Sequence, residues 1–153
     1  MPSAAAEARC TPQIVTVLSI AAAGEDHSSL KDILGHSDPP MSAGCLWHVE
    51  TSFTPRAAME HLRARSIPIV LCENDQQPGA WKEMLDQMTR IPNPPCLIVT
   101  SRQADDRLWV EALNLGAYDV LAKPFDRSEV VRTLGNAWIH WSTRHRPKTA
   151  TAA

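Results

Sequence analysis

The sequence predicts an α/β domain, with one mostly parallel sheet and helices on both faces. Two observations carry this. Five short apolar runs, at 14–20, 45–49, 67–72, 96–100 and 119–122, alternate with five stretches whose apolar residues recur at helical spacing. The third run, Ile67 to Cys72, is apolar along its length, as a central strand covered on both sides would be. The pattern alone leaves the strand order open.

The elements follow in turn. Met1 to Pro12 is Ala-rich and polar and reads as a disordered arm, so the folded part is expected over residues 13–141. Ile14 to Ile20 is a β-branched first strand. Ala21 to Gly24 is a small-residue loop, and Asp26 or Ser28 is expected to cap a helix with the stripe Leu30, Ile33 and Leu34, closed by Gly35. His36 to Gly44, with Pro39-Pro40, is a loop. Cys45 to Val49 is less apolar and suits a sheet edge. Thr54-Pro55 starts the next helix, with the cap at Thr54 and proline in the first turn, where a missing N–H does no harm. Its stripe is Ala58, Met59 and Leu62.

After the third strand, Glu73 to Gly79 is a polar loop. Trp81, Met84 or Leu85, and Met88 then mark a helix. Cys96 to Thr100 is the fourth strand. Asp105 or Asp106 opens a helix with the stripe Leu108, Ala112 and Leu115. Asp119 to Ala122 is the fifth strand. Asp126 and Glu129 have capping-box spacing before a last helix carrying Val130, Leu134, Ala137, Trp138 and Trp141. Residues 142–153 read as a flexible tail.

At 153 residues the chain suits a single domain with a core of useful size. The net charge of −2 argues neither for nor against nucleic acid, and the short basic run Arg144 to Lys148 reads as solubilising. Cysteines 10, 45, 72 and 96 lack CxxC spacing, and the six histidines lack ligand spacing. Neither a disulfide framework nor a zinc site is expected. No apolar run reaches the length of a membrane span, and no signal peptide is visible, so a cytoplasmic protein without membrane contact is expected. No GxGxxG or P-loop follows any strand.

The most informative stretch is Asn114 to Phe125, Asn-Leu-Gly-Ala-Tyr-Asp-Val-Leu-Ala-Lys-Pro-Phe. Gly116 ends a helix, a short strand follows, Lys123 sits on the strand's end, and Pro124 stops the ladder because it has no N–H. The Gly-Ala, strand, Lys-Pro-Phe order resembles the end of a response-regulator receiver domain. The resemblance covers about residues 13–141. It implies a flavodoxin-like (βα)5 fold of three αβα layers with strand order 2-1-3-4-5. It also implies a site at the carboxyl strand ends: an acidic pair after strand one that holds Mg²⁺, a phosphoryl-accepting Asp after strand three, a hydroxyl after strand four and a lysine after strand five.

Carried over by position, Lys123 and Pro124 match, and Thr100, followed by Ser101, matches the hydroxyl. The acidic pair does not match. Ser19 to Ala23 supply no carboxylate, and Glu25 and Asp26 come too late, so loss of the Mg²⁺ site is expected. The acceptor position falls on Glu73 by strand register, with Asn74 or the displaced Asp75 as alternatives. Glu73 is expected to reach Lys123 and form a standing ion pair. The aromatic of the resembled pattern falls at Val120, with Tyr118 two places early.

These departures predict an atypical, stand-alone pseudo-receiver of two-component phosphorelay signalling. It would be no enzyme, would need no phosphorylation, and would act by protein–protein contact. A histidine kinase or another signalling protein is the expected partner, and a homodimer through helix four, strand five and helix five is the alternative. Trp109 and Tyr118 are the candidate interface residues, and nucleic acid is not an expected partner within these residues. Two further readings stand beside this one: a receiver phosphorylated at Asp75, and a flavodoxin-like protein that binds a small molecule.

Overall fold

A computed structural model of the chain describes residues 13–35 and 45–145. The expected N-terminal arm, the His36 to Gly44 loop and most of the expected tail lie outside the described residues. Among the described residues ten elements alternate strictly: β1 Gln13–Ile20, α1 Gly24–Gly35, β2 Cys45–Ser52, α2 Pro55–Ala64, β3 Ile69–Glu73, α3 Ala80–Met88, β4 Cys96–Ser101, α4 Asp106–Leu115, β5 Asp119–Ala122 and α5 Arg127–Arg144. The five strands form one parallel sheet in the order β2-β1-β3-β4-β5. This is the flavodoxin-like arrangement, and it puts β3 in the middle.

Burial explains why the apolar runs became strands. Every residue of β3 and β4 is buried. Alternate side chains leave opposite faces of a strand, so the runs feed two cores. On one face Leu18, Val70, Cys72, Leu97 and Val99 pack under Met59, Trp81, Met84 and Ala112. On the other Val17, Ile69, Leu71, Ile98 and Leu121 pack under Leu30, Val130 and Leu134. β2 is the edge the sequence suggests, with Leu46 exposed. Cys72 and Cys96 are buried free thiols, as small core residues should be. Burial pushes the Cys72 thiol up to about 12 and that of Cys96 to about 11.

The helix starts are chemically specified. The Thr54 hydroxyl accepts from the Ala57 N–H at the head of α2, with Pro55 in the first turn. Asp105 accepts from Leu108 N–H at α4, and Asp126 from Glu129 N–H at α5. Gly116 ends α4 with φ 110°, a left-handed backbone that favours glycine.

Several expectations differ from the structure: β2 runs on to Ser52, past the expected Val49, and β3 spans Ile69–Glu73 rather than Ile67–Cys72. Helix α1 begins at Gly24, so Asp26 stands inside its first turn and Ser28, whose hydroxyl donates to Gly24 O, inside the helix; neither caps it. Leu115 is exposed; it is the last residue of α4, and Ala117, beyond the reversal at Gly116, takes the buried place. α5 runs to Arg144, past the expected end at 141. Trp138 and Trp141 pack half-buried against the second core with their rings stacked 5.8 Å apart.

Candidate functional site at the carboxyl strand ends

Four ionisable side chains meet where β1, β3 and β5 end. Lys123 follows the last residue of β5. Its backbone N–H donates to Ser101 O (2.9 Å), and the Lys123–Pro124 peptide is cis. The Lys123 side chain is only 3% exposed. Its Nζ lies 2.7 Å from Asp26 Oδ2, 2.7 Å from Asp75 Oδ2 and 3.5 Å from Glu73 Oε2. One ammonium therefore answers three carboxylates.

Each carboxylate has a second anchor or a distinct setting. Glu73 ends β3, in register with Thr100 of β4, and is buried. Its Oε1 accepts from Ala22 N–H at 3.0 Å, so the small-residue loop after β1 meets Glu73 with its backbone. Asp75 Oδ1 accepts from Ser101 Oγ (3.0 Å) and from Arg102 N–H (2.9 Å). Its Oδ2 faces Lys123 as an ion pair without the angle of a hydrogen bond. Asp26 reaches in from the first turn of α1.

The electrostatics follow from these contacts. Burial alone would push the Asp75 carboxyl up. The Lys123 ammonium, the Arg102 N–H and the Ser101 hydroxyl together outweigh that and hold it below the usual carboxylate range. Burial likewise works against the Lys123 charge, but Asp26 and Asp75 override it and raise its pKa above the ordinary lysine value.

The sequence-derived residues are thus brought together in part. Lys123, Glu73 and Asp75 share one cluster. Glu73 converges on Lys123 as expected, yet it is the farthest of the three carboxylates. Asn74 is committed elsewhere: its Oδ1 accepts from Gly79 N–H (2.9 Å) and Trp81 Nε1–H (3.1 Å), which shapes the loop before α3. Thr100 is buried at the end of β4, but the hydroxyl that touches the cluster belongs to Ser101. Trp109 is 37% exposed on α4, beside the more exposed Val110 and Leu113. Tyr118 is half-buried against the second core, its ring 5.3 Å from that of His140, and Val120 is fully buried in β5.

Asp26 and Ser101 carry more of the site than the sequence reading gave them. For Ser101 the signal was its position next to Thr100. For Asp26 it was an acid shortly after the first strand, set aside because it comes late and because helix capping explained it.

These carboxylates do not fit a divalent cation as they stand. Lys123 Nζ occupies the point on which Asp26 and Asp75 converge, and Ala21, Ala22 and Ala23 occupy the loop after β1. Among the described residues, no three His, Cys, Asp or Glu side chains are arranged to hold a metal ion.

Strand order 2-1-3-4-5, with Lys123 at the end of β5 and acidic groups beside it, gives the chain the fold of response-regulator receiver domains. Its relatives agree. The signal receiver domain of an HD domain-containing protein from Pseudomonas fluorescens Pf-5 superposes with a TM-score of 0.70 at 18% identity, over 86% of this chain and 99% of that one. The receiver domain of a putative Luxo repressor protein from Vibrio parahaemolyticus gives 0.72 at 14% identity, over 85% and 94%. In sequence, the chain is 35% identical over 97 residues to the transcriptional regulatory protein ZraR of Klebsiella oxytoca, covering 63% of this chain and 22% of that protein. It is 29% identical over 126 residues to the DNA-binding transcriptional regulator NtrC of Escherichia coli K12, covering 81% and 26%. The chain thus spans about a quarter of the length of these curated relatives. No protein-family model matches it. No helix among the described residues is long and apolar enough to cross a membrane.

Proposed function

We propose that this chain is an atypical receiver whose strand-end site is held by a standing ion-pair cluster, and that it signals by binding a protein rather than by accepting a phosphoryl group. The observation that carries this is the placement of Lys123 Nζ, 2.7 Å from both Asp26 and Asp75 and 3.5 Å from Glu73. In a phosphorylated receiver the lysine answers the incoming phosphoryl charge. Here that charge is already supplied by side chains. Glu73, at the end of β3, brings one negative charge where a phosphoryl group would bring nearly two, and Asp26 and Asp75 add to it. Phosphoryl transfer also needs a clamp for the developing charge, usually a divalent cation. The alanine loop and the lysine-filled centre argue against one. On this reading the protein is a cytoplasmic signalling module and not an enzyme. Its partner is a histidine kinase or another signalling protein, or a second copy, met through α4, β5 and α5. The exposure of Trp109, Val110 and Leu113 on α4 supports that face.

One observation favours a second reading. Asp75 is the most exposed carboxylate of the cluster, at 19% against 12% for Asp26 and 3% for Glu73, and it borders an open cleft of about 720 Å³ with Ser101 and Arg102. That would suit a displaced phosphoryl acceptor. Both its oxygens are engaged, however, by Ser101, Arg102 and Lys123, which lowers their nucleophilicity. Intact mass after incubation with acetyl phosphate and Mg²⁺ separates the two. No mass gain is expected; an acyl phosphate mapped to Asp75 would establish the second reading.

A further inference from the structure

The cleft beside Asp75 lies between the loops leaving β3 and β4, against α3 and α4, and holds about 720 Å³. Small-molecule sites run to about 300–1,000 Å³. Its walls are fixed before any ligand arrives. Asn74 Oδ1 holds Gly79 N–H at 2.9 Å on the β3 side, and Gln103 N–H donates to Ser101 Oγ at 3.0 Å on the β4 side. Asp75 Oδ1 ties the two loops by accepting from Arg102 N–H, and Lys82 of α3 pairs with Glu111 of α4 at 2.8 Å. A site held in this way spends little on ordering itself when it binds.

The charges around the cleft are sorted by depth. Each acid that lines it is engaged within the protein: Glu111 by Lys82, Asp105 by Leu108 N–H, and Asp75 by Lys123, Ser101 and Arg102 N–H. Two cations are not engaged. Arg102 and Arg107 are exposed, and among the described residues neither guanidinium has an ion-pair or hydrogen-bond partner. Arg107 also stands in the first turn of α4, where the helix dipole disfavours a cation, so the helix does not account for it. The deeper end has the opposite sign. Asp75 belongs to a cluster in which one ammonium answers three acids, a formal excess of two negative charges.

We propose that this cleft binds a small zwitterion of the α-amino acid class, with its carboxylate on Arg102 and Arg107 and its ammonium toward Asp75. The guanidinium fork matches a carboxylate with two parallel hydrogen bonds. A plain acid would meet the arginines but also the excess negative charge behind Asp75. A plain amine would meet Asp75 but must pass two unpaired guanidinia. Only a ligand that carries both charges is attracted at both ends. Leu108, 8% exposed, and Pro78 offer an apolar wall to its side chain. The proposal uses the charges of the cluster and not the reading that phosphorylation is dispensable.

The test is titration of the ¹⁵N-labelled full chain with L-leucine, followed by NMR. Two analogues keep the leucine side chain and lack one charge each: 4-methylpentanoate has no ammonium and 3-methylbutylamine no carboxylate. Leucine should shift the Gly79, Arg102 and Leu108 amides saturably within about 10 mM. Each analogue should bind at least about tenfold more weakly, as the loss of one charge-assisted contact implies. Arg102→Gln and Arg107→Gln should each weaken leucine by a similar factor and leave 3-methylbutylamine no weaker. Asp75→Asn should narrow the gap between leucine and 4-methylpentanoate. Both arginines are exposed, so their variants keep the test decisive should Asp75→Asn not fold. No saturable shift with leucine, an analogue that binds as well as leucine, or arginine variants that bind leucine unchanged would each overturn the proposal. A mass gain with acetyl phosphate bears on the phosphorylation-independent reading and not on this one, so the two failures are distinguishable.

Discussion

Lys123→Met is the most direct perturbation of the cluster. Methionine keeps an apolar stem that reaches as far as the lysine Cε and removes the ammonium with its charge and donors. At an effective dielectric of about 20, a unit pair at 2.7 Å attracts by about 6 kcal/mol gross and one at 3.5 Å by about 5 kcal/mol. Desolvation of the ammonium and repulsion among the three acids take back most of that. The net loss is set by what remains, three carboxylates facing one another with side chains 3–19% exposed. Breaking a fully buried pair costs about 3–5 kcal/mol, and an exposed one about 0–1 kcal/mol. This cluster lies between, nearer the buried limit, so Lys123→Met should cost about 2–4 kcal/mol at pH 7.

The deficit should depend on pH in a defined way. Asp75 has a lowered pKa in the fold, so its contribution is present above the unfolded carboxylate range and is lost as pH falls through its folded value. Lys123 has a raised pKa, so its contribution is complete below the ordinary lysine value and is lost as pH rises through the folded one. The penalty of the variant should therefore be largest between about pH 5 and about pH 9 and shrink toward acid. Urea melts at several pH values measure it as a change in midpoint at constant slope. Double-mutant cycles with Asp26→Asn, Asp75→Asn and Glu73→Gln should rank Asp26 and Asp75 above Glu73 in coupling to Lys123, following the distances. A loss below about 1 kcal/mol, or coupling to Glu73 alone, would refute the shared-ammonium description.

Titration with Mg²⁺ at millimolar levels should leave the fluorescence of Trp81 and the amide resonances of Glu73 and Asp75 without a saturable change, whereas a saturable response at those residues would contradict the ion-pair reading. Asn74→Ala removes the acceptor of both Gly79 N–H and Trp81 Nε1–H and should cost about 1–3 kcal/mol in denaturant melts, since two donors lose their partner. Cys72 and Cys96, with thiols raised to about 12 and about 11 by burial, should resist alkylation at pH 8 in the folded protein and react once it is denatured, which peptide mapping of the labelled chain reads directly.

The fold was legible because its signals are local. The residues of β3 and β4 are all buried, so their sequence is apolar up to the carboxyl ends, where Glu73, Thr100 and Ser101 stand. Thr54, Asp105 and Asp126 cap helices through hydrogen bonds that reach only three residues along the chain. Lys123 was legible for the same reason, as a charge at the boundary of strand and proline. Asp26 was not. Its partner lies 97 residues away, and its local role, an acid near a helix start, already explained it. A choice between Thr100 and Ser101 turned on which of two successive hydroxyls leaves the strand end toward Asp75, a matter of one residue in register. Leu115 kept helical spacing but fell on the last residue of its helix, where periodicity no longer determines burial.

The ties of Asp75 have a mechanical consequence. One of its oxygens is bound to the Ser101 hydroxyl and the Arg102 N–H, and the neighbouring Asn74 N–H donates to Thr100 O at 2.9 Å. The loops leaving β3 and β4 are thereby sewn together a few residues ahead of Asp105, the residue that starts α4. A displacement of Asp75 has to pull on that seam or tear it. α4 is also the helix that turns Trp109, Val110 and Leu113 toward solvent. Lys123 on Oδ2 of Asp75 and the loop ahead of α4 on its Oδ1 therefore share one side chain.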